Sequence, residues 1–477
     1  MRERLVLTLG CVAAAWALLA GATERPPVEN REIRIFRVAG AMVETGDFLV
    51  PHARGQPRLH KPPLYYWLAS GARLVTSLPP RVAYRFPSVL AGIGLIAAVY
   101  ALRLATGAAG VALPAALALP SFGLLYGCAR EANFDMLLAA TAFSAAAAFW
   151  LWLARGSSGW WHVGVGAFAA AMLAKATPAL GAVLVPVAIA ALLHRPLRRR
   201  PWPAVLWAGL LAALPLAVWG AVALLASPES IHVVIDETLQ PFGWQSPTTT
   251  ASHYRNPFFY LYMIPLLTLP GSLLLPAVIL RAIATKGYRQ APILRWALWS
   301  GLLILGVFSL VPQKQENYMA MVLPYEALLV GDALWAVARH VASRRCALTA
   351  RAAAAVWSLI AIAAGGGLWW GLTRLVDVGA LEAGIISAVP VALGALALWW
   401  AFAAWPWRPW LAGLGACVVL AGTVNGTLLA LQAQIKSGEA LRRGDPRVER
   451  WLALAARHNL KKAVFPSGDR DREPDER

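Results

Sequence analysis

The chain has 477 residues, of which 59% are hydrophobic and only 14% charged, with 22 tryptophans. Soluble domains carry about one quarter charged residues, so the composition excludes an ordinary soluble enzyme and points to a membrane protein. The formal charge of +19 would suggest nucleic acid in a soluble chain. Here the arginines stand between apolar runs, where topology and lipid phosphates account for them and no nucleic-acid partner is needed.

Apolar runs long enough to cross a bilayer fall near 5–22, 86–105, 109–127, 135–154, 160–174, 178–194, 203–226, 258–280, 296–311, 318–338, 352–372, 384–404 and 410–432. The expectation is an all-α polytopic membrane protein with about 13 transmembrane helices, a membrane domain over 1–432 and a short tail over 433–477 whose charged end reads as disordered. Lys175 and Pro178 interrupt the 160–174 and 178–194 pair. Alternate loops are basic: 194–201, 281–295 and 339–351. Positive loops stay in the cytoplasm, which places the loops 23–85, 227–257 and 313–317 and the tail outside. Loop 23–85 is itself rich in arginine, but its length puts it at the edge of the rule. Cys11, Cys128, Cys346 and Cys417 are scattered without CxxC spacing, so neither a disulfide framework nor a thiolate metal site is expected.

In the first outside loop, apolar Ile33, Phe36, Val38, Met42 and Val43 interleave with Arg31, Arg34 and Arg37. That pattern predicts an amphipathic helix in the interface, with cations toward headgroup phosphates. "KPPLYYWLASGARLV" predicts a second one, started by its prolines and carrying Tyr65, Tyr66 and Trp67 as an aromatic belt.

The same loop, "MVETGDFLVPHARGQPRLHKPPLYYWL", resembles the first outside loop of the aminoarabinose transferase and protein O-mannosyltransferase superfamily of membrane glycosyltransferases. Glu32, Arg34, Met42, Gly46, Asp47, Pro51 and the run Lys61-Pro62-Pro63-Leu64-Tyr66-Trp67 keep step with its motif. Similar segments come in order along the chain: "YRFPSVLAGI" at 84–93, "REANFDMLLA" at 130–139, "LAKATPAL" at 173–180, "HYRNPFFYLYMIPLLTLPG" at 253–271 and "QKQENYMAMVLP" at 313–324. The resemblance covers about residues 25–335. It also counts 5–22 as a retained first span rather than a cleaved signal peptide.

The resemblance implies the C-type glycosyltransferase fold in a bacterial inner membrane. It implies a sugar donor carried on a polyprenyl phosphate, and an extracytoplasmic acceptor such as a lipid A-like glycolipid, a protein or an envelope glycan. Lys61 would meet the donor phosphate or reacting centre, and Arg85, Arg130, Lys314 and Tyr318 would join it around the phosphate. Charge-assisted hydrogen bonds of that kind stabilise a leaving phosphate. Lys175, inside an apolar stretch, should face a cavity.

Two positions depart from the motif. Register from Gly46-Asp47 puts the family's catalytic aspartate at Arg31, and a guanidinium cannot serve as a base. Glu32 or Asp135 would then supply the carboxylate, or the acceptor ionises unaided and Arg31 binds phosphate. The second departure is His60, where the motif has an acid before Lys-Pro-Pro. The resemblance implies a metal held by that residue and a later histidine, making His60 and His253 a candidate zinc pair. Two rival readings stand beside the transferase: a binding relative that lost catalysis with the aspartate, and a lipid or solute transporter. A transporter should show inverted repeats, and no internal repeat is visible.

Overall fold

The computed structural model describes residues 30–194, 201–231, 234–235, 255–269, 271–284, 291–339 and 342–375, with Ala388 and Val391. The spans expected at 5–22 and 410–432, nearly all of 384–404, the tail, His253 and most of loop 227–257 lie outside the described residues.

Within them the chain is helical, apart from one short hairpin. Six helices are long and apolar enough to cross a membrane: Pro80–Ala105, Phe134–Arg155, Ala176–His194, Trp202–Ala226, Pro292–Leu310 and Arg344–Gly367. Two bent pairs raise the number to eight if each is one span: Ala109–Ser121 with Gly123–Arg130 at 66°, and Phe259–Leu267 with Gly271–Ala282 at 101°. Bent backbone at membrane depth needs protein or water beside it.

The described part of the first loop begins with helix α1 (Asn30–Thr45). One face buries Glu32, Ile35, Val38, Ala39 and Met42, while Arg34, Arg37 and Glu44 stay exposed. Gly46, at φ +73°, turns the chain out of α1, a conformation glycine adopts without a Cβ penalty. The Asp47 carboxylate then accepts from the amides of Leu49 (2.9 Å) and Val50 (3.2 Å), so the Gly-Asp motif builds a turn. Strands β1 (His52–Ala53) and β2 (Gln56–Pro57) pair antiparallel across Arg54 and Gly55, both at positive φ as a two-residue hairpin turn requires. The indoles of Trp67 and Trp219 clamp this loop by donating to the carbonyls of Phe48 (2.6 Å) and Leu49 (2.9 Å).

Helix α2 (Leu64–Val75) comes directly after the two prolines and packs against α1, with the Ser70 hydroxyl donating to the Ala39 carbonyl at 3.0 Å. The expected aromatic belt is therefore corrected. Tyr65 and Tyr66 are buried against Phe134 rather than placed at the lipid boundary; only Trp67 is half-buried. The two faces of the helix explain this: Tyr65, Tyr66, Ala69, Ser70 and Ala72 share the inner one.

The membrane part runs through α3 (Phe86–Ala105), α4 (Ala109–Ala118), α5 (Gly123–Arg130), α6 (Phe134–Arg155), α7 (Ser158–Ala174), α8 (Ala176–His194) and α9 (Trp202–Ala226). It continues with α10 (Phe259–Leu267), α11 (Leu275–Ala284), α12 (Pro292–Leu310), α13 (Leu323–Ala338) and α14 (Arg344–Leu375). Helix α6 is the central pillar, packed on α3, α7 and α8, because its small alanines let neighbours approach closely. Phe143 and Trp150 from α6 meet Trp296 and Tyr325 in a buried aromatic cluster. Gly331 lets α13 press on α4: a Cβ there would lie 2.4 Å from the Ala115 Cα. Helix α9 leaves Leu206, Trp207 and Leu210 uncovered, as suits a face in contact with lipid.

Candidate functional site

The site forms where α1, the 58–63 turn, the start of α6, the α7–α8 break and the 311–321 segment come together. Sequence explains each placement. Asn133 caps α6, its side chain accepting from the Asp135 amide at 2.8 Å, which fixes Asp135 in the first helical turn. The Ser88 hydroxyl bonds the Tyr65 hydroxyl (2.7 Å) and accepts from the Asn133 amide (3.0 Å). The Pro-Ser motif at the start of α3 thus ties α2 to the head of α6. Lys175 sits at the C-cap of α7 and α8 starts at the next residue, so the charge emerges from the break between the two helices.

The Lys175 ammonium donates to the Asp135 carboxylate at 2.7 Å and lies over the Tyr318 ring, 4.1 Å from its centroid. Lys61 is half-buried beside this pair. Burial, then the positive charge of Lys175, pushes the Lys61 ammonium down to about 7 from its ordinary 10.5; Arg34 and Arg58 add to the shift, and Asp135 opposes it. Arg31 closes another side. It donates to the Gln315 side chain at 2.8 Å, and its charge reaches Lys175. Gln315 is held in turn by the Tyr260 hydroxyl, which donates to its carbonyl at 3.0 Å. Asp135 thus pairs with Lys175 and acts on Lys61, while Arg31 acts on Lys175 and Arg34 and Arg58 act on Lys61.

The expectation that Lys61, Arg85, Arg130 and Lys314 share one hollow is corrected. Arg85 is buried and chelated by Glu32, with Nε to Oε1 at 2.7 Å and Nη2 to Oε2 at 3.0 Å. Glu32 also accepts from the Ala132 amide at 3.0 Å. Both of its oxygens are occupied, so it staples α1 to α3 and to the approach of α6 rather than standing ready as a base. Arg130 donates to the Tyr126 hydroxyl and stacks on that ring. Lys314 donates to the carbonyls of Val311 (2.5 Å) and Arg255 (3.2 Å), and so caps the end of α12. The physical reason is common to all three. A buried cation must find acceptors, and each has them within its own neighbourhood. Of the expected phosphate group, Lys61, Arg31 and Tyr318 do come together, with Asp135. Arg34, Arg58, Lys175 and Gln315 complete the site. Lys175 announced itself in the sequence as a charge inside an apolar run, and Arg34 as a residue in step with the motif.

Only His60 of the candidate zinc pair is described. His253 lies outside the described residues. Burial, then the charges of Arg58, Lys61 and Arg34, lower His60 to about 4. Among the described residues no three His, Cys, Asp or Glu side chains gather as ligands.

The helical architecture is that of the C-type membrane glycosyltransferase fold. ArnT from Cupriavidus metallidurans in the apo state superimposes with a TM-score of 0.70 at 18% identity, over 90% of this chain and 77% of that one. The same enzyme bound to undecaprenyl phosphate gives 0.67 at 18% identity, over 91% and 77%. Residues 60–219 match the family described as dolichyl-phosphate-mannose-protein mannosyltransferase. An undecaprenyl phosphate-alpha-4-amino-4-deoxy-L-arabinose arabinosyl transferase of Pseudomonas aeruginosa is 31% identical over 316 residues, 64% of this chain and 55% of the relative. The chain thus spans about half the length of the curated relatives of this kind that it matches. One from Edwardsiella ictaluri is 27% identical over 446 residues, 86% of this chain and 74% of the relative.

Proposed function

We propose that the chain is a membrane glycosyltransferase that moves a sugar from a polyprenyl-phosphate donor to an acceptor on the outer side of the bacterial inner membrane. The observation that carries this is the Lys175–Asp135 pair with Lys61 and Arg31 beside it, where the start of α6, the α7–α8 break and the first loop meet. The donor phosphate sits against Lys61 and the arginines, its lipid tail passing sideways into the membrane. The acceptor oxygen attacks the anomeric carbon as the bond from that carbon to the phosphate oxygen breaks, and its hydroxyl proton passes to the Asp135 carboxylate. Charge then builds on the phosphate, and preorganised cations stabilise it most in the transition state. Asp135 holds Lys175 in place, and Glu32 with Arg85 fixes α1 behind the site. The likeness to proteins whose names specify undecaprenyl phosphate supports the donor class.

The experiment is transfer of a radiolabelled sugar from polyprenyl phosphate in membranes, comparing the native chain with Lys61→Ala. Removing a cation from the leaving phosphate should slow transfer by about 10²-fold or more; equal transfer would remove Lys61 from the mechanism. A second reading, a binding relative without catalysis, is favoured by one feature. Arg31 is engaged by Gln315 at the position where the motif has its aspartate. Arg31→Asp separates the two: gain of transfer indicates lost catalysis, and loss indicates a working cationic variant.

A further inference from the structure

Buried donors without acceptors gather at the far end of the helices from Lys61. Helix α3 begins after Arg85, and Arg103 stands in its last turn, about 27 Å further along the axis. Arg103 is only 3% exposed, yet its Nε and Nη1 are buried with no hydrogen-bond partner among the described residues. The acid that acts on it is Asp332 of α13. That carboxylate is already engaged by Arg281 of α11, Nε to Oδ2 at 2.5 Å. A buried guanidinium with open donors is costly unless an acceptor meets it.

Two further donors stand at the same corner. Trp335 lies one turn after Asp332 on the same face of α13, and its indole N–H is buried without an acceptor among the described residues. That indole rests on the first turn of α4: a Cβ at Gly110 would lie 2.6 Å from its Nε1. No side chain caps the start of α4, so the amides of Ala109 and Gly110 have no acceptor within their own helix. The chain joins this turn closely to Arg103, whose carbonyl accepts from the Ala108 amide at 3.1 Å. A guanidinium, an indole N–H and a helix N-terminus thus converge where α3, α4 and α13 meet, a donor set that suits a phosphate. The position selects its carrier. Arg103 is at the membrane-surface end of its helix, with the neighbouring Leu104 exposed at 42% for an acyl chain, and basic pockets between membrane helices hold lipid headgroups. We propose that Arg103, Trp335 and the first turn of α4 bind the phosphate of a membrane phospholipid, at the surface opposite the candidate transfer site. The phosphate accepts from the guanidinium and the indole and ties α3, α4 and α13 together there.

The test uses the full-length purified chain, delipidated in detergent, and follows binding by native mass spectrometry and by thermal unfolding. Phosphatidylglycerol, diacylglycerol with the same acyl chains, and inorganic phosphate are added in separate samples. Phosphatidylglycerol should bind and raise the unfolding temperature; the other two at equal concentration should not. Arg103→Met should weaken phosphatidylglycerol binding about tenfold or more. Trp335→Phe, which keeps most of the ring packing and removes the N–H, should weaken it about threefold. A shift from inorganic phosphate as large as that from phosphatidylglycerol would overturn the lipid assignment. Unchanged phosphatidylglycerol affinity in both variants, or affinity no better than that of diacylglycerol, would overturn the site itself.

Discussion

Raising the pH from 6 to 8.5 should weaken donor binding because Lys61 loses its proton across that window. Its pKa in the empty site is about 7, against an ordinary 10.5, since burial and Lys175 disfavour the charge. A bound phosphodiester favours the charge and returns the pKa toward its ordinary value. Affinity is therefore full below pH 7, where Lys61 is already charged, and falls above it until the pH reaches the pKa of the complex. At pH 8.5 only about one molecule in 30 is protonated, so the dissociation constant should rise roughly 30-fold. His60, at about 4, and Tyr66, pushed up to about 12 by burial, do not titrate in this range. A phosphodiester donor keeps its own charge throughout. The assay is equilibrium binding of that donor across pH by the native chain and by Lys61→Arg, whose guanidinium stays charged. A flat profile for the native chain, or an equally steep one for Lys61→Arg, would refute the reasoning.

Arg85→Met leaves Glu32 as an uncompensated buried carboxylate and should cost about 3–5 kcal/mol, read as thermal unfolding in detergent. Adding Glu32→Gln should recover part of that loss, and a single-variant cost below about 1 kcal/mol would show that the pair is not the staple described. Gly331→Val drives a side chain into Ala115 and should cost about 1–3 kcal/mol. Gly94→Ala, which meets nothing within 4 Å, should be neutral or slightly stabilising in the same assay, as expected for an open helical site.

Much of the fold is legible in the chain. The apolar runs at 86–105, 135–154, 178–194, 203–226 and 296–311 each correspond to a membrane-length helix, because a bilayer imposes both length and composition on a span. The 109–127 run reads as one straight helix, yet it bends by 66° between Ser121 and Gly123. Pro114 and Pro120 lie in it, but apolar composition alone carries no sign of the angle. The amphipathic pattern of α1 is legible too. What it cannot reveal is that Glu32 faces inward to Arg85 while Arg31, one residue earlier, reaches Gln315.

Amino-acid order alone determined that this is a helical membrane chain and that Lys175, a charge inside an apolar run, needs a cavity. Those conclusions depend on local patterns and on the steep cost of charge in an apolar run. Only the tertiary structure decided which cations share a space. Arg85, Arg130 and Lys314 turn to Glu32, Tyr126 and the carbonyls of Val311 and Arg255, whereas Lys175 pairs with Asp135 beside Lys61. Such pairings join residues as far apart as Arg31 and Gln315, and no local rule of spacing or propensity links positions so distant in the chain.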